Sequence, residues 1–151
     1  MLRHRFNWKR VSAAATLCYR SDGKRARLYF HTHPGAYNEE SLIEFILDLR
    51  RHFRGKKVTL LWDGLTSHRS RHMTEFLGTQ RHWLVVERLP AYAPELNPVE
   101  GLWSNLKGTE LANRSDETID ATIQAADVGV QRVRSQQQLL FSFLRRTGLS
   151  L

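Results

Sequence analysis

Two short apolar runs constrain this chain more than any other feature: Val58-Thr59-Leu60-Leu61-Trp62 and Trp83-Leu84-Val85-Val86. Each is too short for a helix, and an unbroken apolar run of this length is the profile of a strand in a sheet covered on both faces. Between them a helical segment carries Met73, Phe76 and Leu77 and stops at Gly78. Strands that alternate with helices in this way direct the chain toward an α/β layer architecture.

The flanking segments fit that frame. Val11, Ala13, Ala15, Leu17 and Tyr19 alternate with smaller residues, and Arg27 to His31 alternates again after the turn cluster Ser21-Asp22-Gly23-Lys24. Together they predict a hairpin ended by Pro34-Gly35. Asn38 is placed to cap a helix whose first turn holds Glu39 and Glu40 and whose apolar face is Leu42, Phe45, Ile46, Leu49 and Phe53; Gly55 stops it. A further helix starts after Asn97, with Val99, Leu102, Trp103 and Leu106 on one face. Another begins at Ser115 with Ile119, Ile123, Ala126, Val130 and Val133, and a last stripe is Leu139, Leu140, Phe143 and Leu144. The expected order is strand, strand, helix, strand, helix, strand, helix, helix, in one domain over residues 1–151, with a mixed sheet flanked by helices.

Composition narrows the partners. Lys and Arg number 23 against 15 acidic residues, a net charge of +8, which favours a polyanion such as nucleic acid. No stretch has the apolar length of a membrane span, and the first residues lead into no signal-peptide core. The single Cys18 excludes an internal disulfide and any cysteine-based zinc cluster, so a reducing cytoplasm is the expected location.

Two carboxylates sit at junctions the sequence marks. Asp63 follows the first apolar run, and strand ends are where functional groups gather in open α/β sheets. Glu100 closes the proline-stiffened segment Leu89-Pro90-Ala91-Tyr92-Ala93-Pro94-Glu95-Leu96-Asn97-Pro98-Val99-Glu100. Carboxylates from separate elements suit hard divalent cations, and a pair of such ions can activate a nucleophile and stabilise the leaving oxygen of a phosphodiester. A plainer role is also compatible with each: Asp63-Gly64 as a turn, and Glu100 as the third-position partner in a capping box with Asn97.

Asp63-Gly64-Leu65-Thr66-Ser67-His68, followed by Leu89 through Glu100 and Gly101-Leu102-Trp103-Ser104-Asn105-Leu106-Lys107, resembles the catalytic core of mariner-type bacterial insertion-sequence transposases. These belong to the Tc-mariner superfamily, with a DDE catalytic domain of ribonuclease H-like fold. The resemblance implies metal-dependent cleavage at transposon ends and strand transfer into target DNA, with Mg²⁺ or Mn²⁺ at a two-metal site. It implies that Asp63 is the second catalytic aspartate and Glu100 the closing glutamate, both metal ligands, and the interval between them fits the mid-thirties gap of that family. His68 matches a histidine found shortly after the aspartate. DNA-phosphate contacts are expected from His68, Arg69 and Arg71, and from Lys107, which falls seven positions after Glu100 on nearly the same helix face.

One departure stands out against the resemblance. The family's first aspartate lies on a central strand ahead of the hairpin, and here no acidic residue precedes Asp22. Asp22 falls in a hairpin turn, Asp48 is mid-helix and Glu87 lies between the two matched residues, so none substitutes. The expectation is an incomplete site on this chain, with the missing strand and carboxylate coming from an upstream transposase fragment, or the open edge covered by self-association. An assembly subunit or remnant that binds DNA without catalysis is the other expectation. A stand-alone nuclease would need an internal third carboxylate.

Overall fold

A computed structural model of the chain describes residues 11–62, 70–113 and 118–151. The described elements run β1 (Val11–Tyr19), β2 (Ala26–Pro34), α1 (Glu39–His52), β3 (Val58–Trp62), α2 (Arg71–Thr79), β4 (Leu84–Arg88), a single 3₁₀ turn (Pro94–Leu96), α3 (Pro98–Gly108), α4 (Ile119–Arg134) and α5 (Gln137–Thr147). They form two compact units, one of Tyr37–Pro94 and one of the residues on either side of it.

The first unit is built on the hairpin. β1 and β2 pair antiparallel from Tyr19 opposite Ala26 to Val11 opposite Pro34. The turn forms because Asp22 Oδ1 accepts the Lys24 amide at 3.0 Å and Gly23 takes φ 71°, a conformation that disfavours a Cβ. Arg20 and Arg25 share a ladder bond, so by alternation the backbone groups of Ala26 and Leu28 point away from β1. Helices close that edge with side chains: Gln137 both accepts from the Ala26 amide and donates to its carbonyl, each at 2.9 Å, and Arg134 Nε donates to the Leu28 carbonyl at 2.9 Å.

One face of the hairpin packs on α3, α4 and α5 in a core of Ala26, Leu28, Leu102, Leu106, Val130, Val133, Leu140 and Phe143. Tyr19 reaches across to donate its hydroxyl to the Leu140 carbonyl at 2.7 Å, and Phe30 meets Trp103 edge-on. α4 is capped by Thr118, whose hydroxyl accepts from Ala121 N, so it starts at Ile119 rather than at Ser115; that serine lies outside the described residues. Its buried seam is Ala125, Gly129, Val130 and Val133. The seam is displaced from the predicted stripe because glycine and alanine, not isoleucine, permit the closest helix approach. An added Cβ on Gly129 would stand 2.5 Å from Leu106 Cδ2.

The second unit pairs β3 and β4 in parallel, Val58 opposite Leu84 and Trp62 opposite Arg88, with α2 between them in sequence. Asn38 caps α1 in a reciprocal box with Ser41, and Ser70 caps α2 by accepting from Met73 N. Ile46, Leu49, Leu60, Trp62, Met73, Trp83 and Leu84 are buried. Covering on both faces, expected from the apolar runs, is not found. Leu61 and Val85 are exposed while Leu60, Trp62 and Leu84 are buried, so the pair is covered on one face. Among the described residues the strands form two two-stranded sheets, one antiparallel and one parallel.

Candidate active site

Glu100 is held by a locally specified helix start. Asn97 is extended and its Oδ1 accepts the Val99 amide at 3.1 Å, while Pro98 fills the first helical position, where its lack of an N–H costs nothing. Glu100 therefore occupies the third position of α3, where a capping box would turn its carboxylate back to the Asn97 amide. No such bond forms. Among the described residues the Glu100 carboxylate has neither a hydrogen bond nor an ion pair, and its side chain is exposed. The cap is completed by Asn97, and the glutamate is left available at a helix N-terminus.

The rotation of α3 is fixed from behind. Gly101 abuts Phe143 of α5 so closely that an added Cβ would lie 2.7 Å from Phe143 Cδ1. Phe143 is buried at 3% exposure and cannot yield. With Leu102 and Leu106 turned into the core, Glu100, Ser104 and Lys107 share the exposed face. At the far end of α3, Arg132 of α4 donates to Asn105 Oδ1 at 2.6 Å, Thr109 Oγ1 at 3.0 Å and both carboxylate oxygens of Glu110. That guanidinium holds the Glu110 carboxyl down to about 2. Glu110, Arg132 and the two glycines are positioning features that sequence patterning missed, because a glycine contact and a cross-helix ion pair leave no periodic signal.

The loop ahead of this helix stores strain. Tyr92 takes φ 59°, a left-handed conformation unusual for a bulky residue, and its side chain is fully exposed.

The remaining candidates divide. Asp63, His68 and Arg69 lie outside the described residues. Arg71 is exposed at the start of α2 and pairs with Glu75 at 2.9 Å, so its charge is partly committed. Lys107 is exposed and unpaired among the described residues. The rejected acids are otherwise occupied or placed: Asp22 pairs with Arg20 at 2.7 Å within the hairpin turn, Asp48 pairs with Arg51, and Glu87 is exposed on β4. Among the described residues no three His, Cys, Asp or Glu side chains cluster as a metal site. Burial pushes the Cys18 thiol up to about 12, which removes it as a nucleophile at neutral pH. No described helix is long and apolar enough to cross a membrane.

α3 thus presents Glu100 from a helix start set by Asn97 and Pro98. The sequence profile of the DDE superfamily endonucleases matches residues 2–123, and the chain belongs to that family. Its fold is similar to that of the Mos1 transposase catalytic domain in structures with raltegravir and Mg or Mn. The first shares 18% identity at TM-score 0.58, covering 97% of this chain and 84% of that one. The second shares 18% at 0.59, covering 97% and 83%. The catalytic domain described as Mos1 mariner transposase shares 16% at TM-score 0.51, covering 99% and 87%. The DDE domain that the resemblance of Asp63–His68 and Leu89–Lys107 implied is thus borne out as a family, and the fold is similar to that of a mariner transposase catalytic domain. No curated protein matches the chain significantly.

Proposed function

We propose that this chain contributes Asp63 and Glu100 to a divalent-metal site that cleaves and joins DNA phosphodiesters, and that the third carboxylate comes from a segment outside residues 1–151. The observation that carries the reading is Glu100: a carboxylate on a helix start set by Asn97, Pro98 and Gly101, without a partner among the described residues. Its oxygen donors suit Mg²⁺ or Mn²⁺, which take carboxylates and leave positions for phosphate and water. When bound, such ions lower the pKa of an attacking hydroxyl and neutralise charge on the phosphodiester. The chain's own part is to hold the two carboxylates on separate elements and keep Lys107 on the Glu100 face, where it meets phosphate. His68, Arg69 and Arg71 add backbone contacts on the Asp63 side. DNA is the partner, at the insertion-sequence ends and the target.

The split-site part has two supports. No acidic residue precedes Asp22. The alternation that turns Ala26 and Leu28 toward the helices turns the backbone of Ala13, Ala15, Leu17 and Tyr19 outward from β1. Among the described residues that edge has no strand partner. An exposed edge invites strand addition, either from an upstream transposase fragment or from a second copy of this chain.

The test is nicking of supercoiled plasmid in Mg²⁺ or Mn²⁺ by the chain alone and by the chain mixed with the Asp-bearing upstream segment. Activity is expected only in the mixture, with Asp63→Asn and Glu100→Gln each lowering it by more than the roughly 10–100-fold typical of outer-shell changes. Nicking by the chain alone, abolished by Asp63→Asn, refutes the split site. DNA binding without nicking in either arm favours the assembly-subunit reading.

A further inference from the structure

The Tyr37–Pro94 unit carries a second cluster of positive charge, at the end of its parallel pair opposite Trp62. After α1 the chain reads Phe53-Arg54-Gly55-Lys56-Lys57 before β3, and Arg81-His82-Trp83 precedes β4. These two lead-ins lie side by side. The Val58 amide donates to the Trp83 carbonyl at 2.7 Å, and Val58 stands opposite Leu84 in the register. Gly55, at φ 77°, turns the first segment, and a buried Gln80 accepting from Trp83 Nε1 at 2.8 Å fixes the second. Arg50, in the last turn of α1, reaches the second segment, with its guanidinium 3.4 Å from Gln80 Oε1 and 3.3 Å from His82 Nε2.

Part of this charge has an internal explanation. Arg50, Arg51 and His52 occupy the last turn of α1, where cations complement the helix dipole, and Arg51 pairs with Asp48. Arg54, Lys56, Lys57 and Arg81 lie beyond any such account. All four are exposed, and among the described residues none makes an ion pair. Four uncompensated cations from two adjacent segments, held by a rigid turn, repel one another unless a polyanion lies across them.

We propose that Arg54, Lys56, Lys57 and Arg81 form a second DNA-backbone site, which grips duplex phosphates at the end of β3 and β4 away from Asp63. β3 has five residues, so at about 3.3 Å per residue roughly 16 Å of strand separates this patch from the position that Asp63 follows. The patch therefore holds a length of duplex other than the phosphodiester at the carboxylates. It anchors DNA and performs no chemistry. The choice of DNA as the polyanion rests on the function proposed above, whereas the grip itself needs neither metal nor a complete site.

The test is fluorescence anisotropy of the full chain with a 30-base-pair duplex in EDTA, titrated from about 50 to 200 mM salt. Replacing all four residues with Gln should flatten the plot of log affinity against log salt by about 2 to 4, since each phosphate neutralised contributes about 0.9. Asp63→Asn, which abolishes cleavage under the reading above, should leave the slope unchanged, so failure of the catalytic reading and failure of this one separate. An equal loss on removing Lys24, Arg25, Arg145 and Arg146 would show that only net charge matters and would overturn the patch. So would tighter binding of an RNA duplex. A measurement on the unmodified chain guards against misfolded variants: Lys56 and Lys57 should be shielded from acetylation by bound duplex, and unchanged labelling overturns the proposal.

Discussion

The unit that carries Glu100 and the unit built on β3 and β4 spend their polar side chains differently. In the first, polar groups tie distant segments together. Tyr19 reaches Leu140, Gln137 clamps Ala26, Arg134 caps Leu28, and Arg132 gathers Asn105, Thr109 and Glu110. In the second, many polar contacts among the described residues are caps and turns within a few residues, such as Asn38 with Ser41, Ser70 with Met73 and Gln80 with Trp83. Its exposed surface is left basic instead. The difference teaches how the two proposed roles would be served: a glutamate that must keep one orientation sits on a cross-braced helix, and charge proposed to grip duplex phosphates needs only a presented surface.

The contrast breaks most readily at Phe143. Phe143→Ala should cost about 3–5 kcal/mol in urea unfolding, because it removes a buried ring that braces Gly101. Hydrogen exchange should show the loss of protection concentrated in α3 and α5. An equal loss in α2, around the fully buried Met73, would mean the two units do not differ in the way described.

A smaller effect is expected at Gly129. An added methyl would meet Leu106 Cδ2 at 2.5 Å and Glu110 Oε2 at 2.7 Å, an overpacking of about 1–3 kcal/mol, against about 1 kcal/mol gained by alanine in a helix. Thermal denaturation of Gly129→Ala should show a net loss, and a raised Tm would remove the close α3–α4 approach from the account.

The smallest effect depends on pH. Arg132 lowers the Glu110 carboxyl from 4.5 to about 2, so the stability it contributes is complete above about 4.5 and is lost as the pH falls through about 2. Denaturant midpoints of the unmodified chain should therefore fall more steeply than those of Glu110→Gln between those two values. Parallel curves would show that the ion pair does not brace α3.

Much of this was legible in the sequence because it is local. Asn38, Asn97 and Pro98 are read as helix starts from the residues themselves, and the structure places them so. Asp22 and Gly23 mark their turn for the same reason. The Leu89–Lys107 motif was sufficient to indicate the family. The site was less legible. Two roles for Glu100 were open in the sequence, and the structure speaks to one of them: its carboxylate makes no capping bond to Asn97. The apolar runs were misread as covered on both faces, since a five-residue run cannot state which of its sides meets a neighbour.

The sequence by itself determined the elements, their caps and the family, because caps, turns and periodicity depend on residues a few positions apart. Only the tertiary structure decided that Gln137 would close the edge of β2 from 111 positions away, that Gly101 would key α3 against Phe143, and that Arg81 would join Arg54, Lys56 and Lys57. Those outcomes depend on packing between segments far apart in the chain, where a side chain's role is set by what the fold brings beside it.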